Sequence, residues 1–128
     1  MRRLAMGEPT AVPAGVYGRK WLELEGVWAA VAPKVIPFPT VRAVLAAVEA
    51  GRVDAGIVYQ TDVIGRPAVL PLLIPRSSAI ADLAIIIPAA VIRGAGEAEG
   101  RRFLAFLQSA PARAVFARRG FGIPQGKP

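Results

Sequence analysis

The sequence contains neither cysteine nor histidine among its 128 residues. Without them the chain has no disulfide framework, no zinc site built from thiolate and imidazole, and no nucleophile activated by a histidine base. The side chains left for catalysis are carboxylates, lysine, tyrosine and three serines, and no catalytic constellation is visible among them. The composition therefore predicts a protein that is not an enzyme.

Long hydrophobic runs are also missing. The longest uncharged apolar stretch, residues 83–92, is about half of the ~20 residues that a membrane-spanning helix needs, and it contains Pro88. At the amino end, Arg2 and Arg3 are followed by only a short apolar stretch before Gly7, which is not the pattern of a signal peptide. We expect no membrane insertion and no signal peptide in this chain.

Apolar residues and positive charge are present in quantity. Hydrophobic residues make up 54% of the chain and charged residues 20%, which is enough to build one packed domain rather than a disordered chain. The net charge is +7, and residues 92–128 carry +5 of it, from seven basic and two acidic residues. The arginines there alternate with apolar residues on two predicted helices. This pattern favours a solvated helix face over a nucleic-acid site, so we expect no nucleic-acid partner.

Short apolar runs alternate with helical patterns along the chain. The predicted strands cover residues 4–7, 35–38, 54–59, 69–74 and 83–92. The predicted helices cover residues 13–25, 41–50, 98–107 and 112–119, with Pro13 and Pro111 at helix starts, Thr40 as a cap and Gly51 as a stop. This order predicts an α/β fold, a mixed sheet flanked by helices on both sides.

Three features lie where strands of such a fold lead into helices. The loop from Glu8 enters a helix at Ala14, a second helix begins at Val41, and Tyr59 ends a buried strand. Helix starts carry unpaired N–H groups and a tyrosine adds a hydroxyl donor, so together they suit a small anion. The alternative is equally physical: the glycines and prolines are then only turn residues, and Tyr59 is a core ring with its hydroxyl at the surface.

Several segments, in order and with similar spacing, have a familiar form. They are Met6-Gly7-Glu8-Pro9, Val12-Pro13-Ala14-Gly15-Val16-Tyr17, Val41-Arg42, Val48-Glu49, Asp54-Ala55-Gly56-Ile57-Val58-Tyr59-Gln60-Thr61-Asp62, Phe103-Leu104-Ala105-Phe106-Leu107 and Arg119-Gly120-Phe121-Gly122. Together they resemble the molybdate/tungstate-binding protein (ModA type) of bacterial ABC transporters, a type II periplasmic binding protein. The resemblance covers about residues 4–123.

The resemblance extends over only the second half of the family's usual length. It implies an α/β ligand-binding lobe over residues 1–92 and C-terminal helices over residues 93–128, which in the family pack on a first lobe. We therefore expect a truncated solute-binding component of an ABC transporter, with impaired ligand binding. The resemblance also implies a transporter permease as partner and a periplasmic or extracytoplasmic location.

The family implies which groups bind the ligand. Such proteins hold a tetrahedral dianion, molybdate or tungstate, with N–H and hydroxyl groups and without charged side chains. Carried over position by position, the contacts are the backbone N–H of Ala14, the backbone N–H of Val41 and the hydroxyl of Tyr59. No cofactor and no ligand of a metal cation is implied, because the molybdate is bound as an oxyanion.

A second interpretation belongs to a different class of protein. The chain is then a small-molecule-sensing or interaction module of the same fold, like the effector domains of bacterial transcription regulators.

Under the family analogy, Phe103, Phe106 and Phe116 lose the surface on which they normally pack. An exposed apolar face of this kind predicts a homodimer formed by exchange of a strand or a helix.

Overall fold

Two compact units make up the chain. The computed structural model describes residues 1–72 and 85–122, and the chain divides into Met1–Ala84 and Ile85–Pro128. Among the described residues, no helix combines the length and apolar character needed to cross a membrane. The placement of the domain boundary at residues 92 and 93 stays a prediction.

A parallel sheet of three strands organises the first unit. The strands are β1 (Leu4–Gly7), β2 (Val35–Phe38) and β3 (Ala55–Gly56), and they lie in the order β2-β1-β3. Leu4 of the central strand pairs with Val35 on one side and with Ala55 on the other. Every residue of β1 is buried, as expected for the middle strand of a parallel sheet.

Helices connect the strands. The structure has α1 (Pro13–Leu24), α2 (Trp28–Val31), a short 3-10 turn (Ala32–Lys34), α3 (Val41–Glu49) and α4 (Gln60–Val63). Local sequence signals fix the longer ones: Pro13 begins α1, and the Thr40 hydroxyl accepts a hydrogen bond from the N–H of Ala43 at 3.1 Å. Gly26 and Gly51 follow α1 and α3 with φ of +70° and +64°, a conformation that glycine adopts without strain.

The two long helices of this unit pack on opposite faces of the sheet. Ala5 belongs to a core cluster with Val44 of α3, whereas the Met6 side chain reaches toward Gly18 of α1. Because successive side chains of a strand point to opposite faces, α1 and α3 cover different sides. The prediction of an α/β fold with helices on both sides of a sheet is confirmed.

The second unit contains α5 (Glu97–Leu107) and α6 (Ala110–Arg118). Ser109 caps α6 by accepting from the N–H of Ala112, and Gly120 with φ of +81° follows its end. Ala112 is the one buried hydrophobic residue among those described in this unit. The two helices therefore leave most of their apolar side chains in solvent.

Two of the predicted strands need correction. In the described part of residues 69–74 and 83–92, namely 69–72 and 85–92, the backbone forms no strand. An apolar run becomes a strand only where another strand pairs with it, and here Leu70 and Ile87 are 77% and 76% exposed. Proline also removes an N–H donor from each run. The prediction is wrong for these residues, and residues 73, 74, 83 and 84 lie outside the described ones.

The strand predicted over residues 54–59 is shorter in the structure. Of these residues, only Ala55 and Gly56 of β3 pair as a strand. The residues on either side of β3 still bond to the segment of β1: the N–H of Asp54 donates to the carbonyl of Arg3, and the N–H of Ile57 donates to the carbonyl of Ala5. Within the described residues the sheet is parallel throughout, because no further strand contributes to it.

Candidate functional site

The carboxyl ends of the three strands lie at one edge of the sheet. Since β1, β2 and β3 are parallel, the segments that follow them begin at that same edge. The chain leaves β1 toward β2 on one side and crosses from β2 back to β3 on the other. In open α/β sheets this reversal between neighbouring strands, here β1 and β3, is the usual ligand-binding position.

The start of α1 presents a free N–H group at this edge. Pro13 has no N–H, and the carbonyl of Val12 accepts from the N–H groups of Gly15 and Val16 at 2.8 and 2.9 Å. In the part of the chain that the structure describes, no acceptor pairs with the N–H of Ala14. Ala14 itself is only 5% exposed, so this donor lies in a protected position.

A close backbone approach fixes the start of α1 against the end of β1. A Cβ atom added at Gly15 would lie 2.1 Å from the carbonyl oxygen of Gly7 and 2.6 Å from that of Glu8. Real Cβ contacts are never this short, so only glycine fits at position 15. The glycine therefore sets where the free N–H of Ala14 is held.

The start of α3 presents free N–H groups in the same way. The Thr40 side chain accepts from Ala43, and the Thr40 carbonyl accepts from Val44 at 3.2 Å. Among residues 1–72 and 85–122, none accepts from the N–H groups of Val41 and Arg42. Donors of this kind at the positive end of a helix dipole favour an anion.

Tyr59 adds a hydroxyl that keeps its proton. The residue is half-buried and extended, and its N–H donates to the Asp62 carboxylate at 3.0 Å. Burial above all, and then the nearby Tyr17 and Asp62, raise the pKa of the Tyr59 phenol above its ordinary 10.0. The hydroxyl is therefore a hydrogen-bond donor at neutral pH.

The predicted site residues Ala14, Val41 and Tyr59 thus all lie at the carboxyl edge of the sheet. Each carries the donor that the prediction assigned to it, and contact of these donors with an oxyanion stays a prediction. Tyr17 lies three residues after Ala14, one helical turn further along the same side of α1.

Carboxylates of the same segments are engaged locally. Glu8 accepts a hydrogen bond from the Thr10 hydroxyl at 3.1 Å, and Asp62 accepts from the backbone of Tyr59. No three acidic groups within the described ranges come close enough together to hold a metal ion. The free groups identified at this edge, at Ala14, Val41 and Tyr59, are therefore hydrogen-bond donors.

The chain is similar to known solute-binding proteins of bacteria. A family model described as "Bacterial extracellular solute-binding protein" matches residues 1–122. The molybdate-binding protein ModA of Escherichia coli (strain K12) is 35% identical over 122 residues, which are 94% of this chain and 46% of that protein. The lipoprotein YvgL of Bacillus subtilis (strain 168), named for ABC transporter substrate binding, is 35% identical over 120 residues, 93% of this chain and 45% of its own.

The solved structures show the same fold. The periplasmic molybdate-binding protein of Azotobacter vinelandii superposes with a TM-score of 0.72 at 20% identity, covering 97% of this chain and 55% of that one. The chain spans about half the length of the relatives it matches.

Proposed function

Because the chain belongs to the bacterial extracellular solute-binding protein family, we propose that it forms the ligand-binding part of an ABC transporter substrate-binding protein. We further propose that its ligand is a tetrahedral oxyanion, molybdate or tungstate. The observation that carries the proposal is the row of donors along one sheet edge: the free N–H groups of Ala14 and Val41 and the protonated hydroxyl of Tyr59. The molybdate-binding name of one relative supports the choice of ligand.

The chemistry of the donors selects the protonation state of the ligand. N–H and O–H groups suit an oxyanion that has lost all its protons, because every ligand oxygen then only accepts. A protonated oxyanion would point its own O–H group at an N–H or O–H donor of the protein. One of these two donors would then have no acceptor, and an unpaired donor costs binding free energy in a protected site. This difference favours molybdate, tungstate or sulfate over hydrogen phosphate.

The remaining parts of the proposal follow from the relatives. They are solute-binding proteins, and we assign the same binding role, without catalysis, to this chain. A transporter permease is the proposed partner, and the periplasmic or extracytoplasmic space is the proposed location. Since the chain spans about half of each relative, we expect the isolated chain to bind more weakly than they do.

The test is a calorimetric titration with molybdate, repeated with sulfate at matched ionic strength. The sulfate titration measures whether the site distinguishes molybdate from another fully deprotonated dianion, and repeating both titrations at higher sodium chloride separates specific binding from attraction to the +7 net charge. Tyr59→Phe removes one hydrogen bond to a charged ligand, so we expect affinity for molybdate to fall by about tenfold or more. The melting temperature should stay close to that of the parent.

A matched control removes a hydroxyl elsewhere. Ser109→Ala deletes the cap of α6, in the other unit, and should leave molybdate affinity unchanged. If the parent binds molybdate and Tyr59→Phe binds it equally well, Tyr59 is not a ligand contact and the assignment of the site is wrong.

A further inference from the structure

The contact between α1 and the end of β3 is unusually close. A Cβ atom added at Gly18 would lie 2.9 Å from Cγ2 of Ile57 and 3.2 Å from Cε of Met6. Glycine at position 18 therefore lets the helix touch the segment that continues β3. This contact brings the part of α1 around Gly18 against the segment around Ile57.

Tyr17 and Tyr59 flank this contact. Tyr17 directly precedes Gly18 on α1, and Tyr59 follows Ile57 by two residues in extended backbone, which places it on the same face of the sheet. Tyr17 also lies one helical turn from Ala14, whose N–H is free. The two residues are the only tyrosines of the sequence, and both are half-buried.

The two phenols are electrostatic neighbours with free hydroxyls. The Gly18–Ile57 contact brings the two residues to the same part of the molecule. After burial, the charge of ionised Tyr17 is a further cause of the raised pKa of Tyr59, in agreement with that placement. Tyr17 and Tyr59 donate their O–H groups to no partner within the described part of the chain. No buried polar side-chain atom there lacks a hydrogen-bond partner, so both hydroxyls reach solvent.

We propose that Tyr17 is a further ligand-binding residue, which donates a second hydroxyl hydrogen bond to the oxyanion from the α1 side while Tyr59 donates from the β3 side. This inference rests on the proposed function and extends it from three donors to four. The physical reason is that a tetrahedral oxyanion has acceptors on all sides, and a free, half-buried donor beside the site is satisfied by one of them.

The two tyrosines provide their own readout. Ionisation of each phenol is followed by the near-ultraviolet absorbance of tyrosinate during a pH titration, with and without saturating molybdate. A bound dianion disfavours a second negative charge nearby, so any phenol that touches it ionises at higher pH. Tyr59→Phe leaves Tyr17 as the single tyrosine, and Tyr17→Phe leaves Tyr59, so each ionisation is assigned without ambiguity.

The expected result is an upward pKa shift of both phenols on addition of molybdate, and none with sodium chloride at equal ionic strength. Calorimetry of Tyr17→Phe should give about tenfold weaker molybdate binding. If Tyr17→Phe loses affinity while the Tyr17 ionisation in Tyr59→Phe ignores molybdate, Tyr17 is structural and the inference is wrong. If only Tyr59 responds, the proposed function stands and this inference fails, and if neither responds, both fail.

Discussion

Asp54 joins the first residues of the chain to the beginning of β3. Its Oδ2 accepts hydrogen bonds from the backbone N–H groups of Arg2 and Arg3, the second at 2.9 Å, and its own N–H donates to the carbonyl of Arg3. The hydrogen bonds from Arg2, then from Arg3, hold the pKa of the Asp54 carboxyl below its ordinary value. The exposed carboxylate of Asp54 thus helps to fix the register of β1 relative to β3.

This lowered pKa predicts an acid-dependent contribution to stability. A carboxyl whose pKa is lower in the folded state stabilises the fold above its ordinary pKa, and the contribution disappears as the pH falls through the lowered value. We expect Asp54→Asn to be less stable than the parent at pH 7 and to approach it below about pH 4. Thermal unfolding from pH 7 to pH 3 measures the difference.

The control for this prediction is another carboxylate. Within the described residues Glu99 pairs with the Arg102 side chain alone, and both are exposed, so Glu99→Gln should follow the parent at every pH. A difference between parent and Asp54→Asn that is constant over the whole pH range would contradict the role given to the Asp54 carboxylate.

The packing of helix on strand depends on glycine at two positions of α1. Gly15 faces backbone oxygen and Gly18 faces the Ile57 side chain. We expect Gly15→Ala to lower the free energy of unfolding by about 2 to 3 kcal/mol, because a Cβ at that position must push the helix start away from β1. The shift also moves the N–H of Ala14, so molybdate binding should weaken at temperatures where the variant is folded.

Chemical denaturation checks this prediction against a glycine in open space. A Cβ at Gly122 would meet nothing within 4 Å, so Gly122→Ala should change stability by less than about 0.5 kcal/mol. If Gly15→Ala were as stable as Gly122→Ala, α1 would not begin in contact with β1 as the structure has it.

Elements with local signals were predicted well from the sequence. The strand at residues 4–7 and the strand at 35–38 have the predicted bounds, and α1 and α3 each end one residue earlier than predicted. Their ends are fixed by residues inside or beside them, such as the cap Thr40, which single-sequence reasoning can see. The four-residue helices α2 and α4 were missed, because one turn is too short to show a helical period.

Elements that depend on distant partners were not predictable in this way. The runs at 69–72 and 85–92 have the composition of strands, yet pairing is decided by another part of the chain. The same distinction holds at the site. Free N–H groups at Ala14 and Val41 follow from local helix starts, whereas the placement of Tyr17 relative to Tyr59 depends on how α1 lies against the segment that follows β3.

At the scale of the molecule, the second unit exposes an apolar face. Phe103 and Phe106 lie one turn apart on α5 and are 61% and 57% exposed. On α6, Val115 and Phe116 are exposed as well, and the ring of Phe116 meets that of Phe121 edge-on at 6.2 Å. Large apolar side chains exposed on two consecutive helices are typical of a surface that another surface covers.

We predict that the isolated chain associates with itself through this apolar face. Sedimentation velocity at increasing protein concentration should show dimers or larger species, and Phe103→Glu combined with Phe106→Glu should shift the equilibrium toward monomer with unchanged helix content. Leu24→Glu, which alters an apolar residue of α1 that is also more than half exposed, should leave the association as it is. Equal association of all three proteins would place the contact elsewhere.

Salt dependence separates an apolar contact from an ionic one. The net charge of +7 makes two copies repel each other, and added salt screens that repulsion. Association through the phenylalanines should therefore strengthen as sodium chloride is raised, because burial of apolar surface is not weakened by screening. Association through ion pairs, such as those between Arg101 and Glu97 of different copies, should weaken instead. Association through the apolar face requires two results together. Association of the parent must strengthen as salt is raised, and the double variant must lose that association.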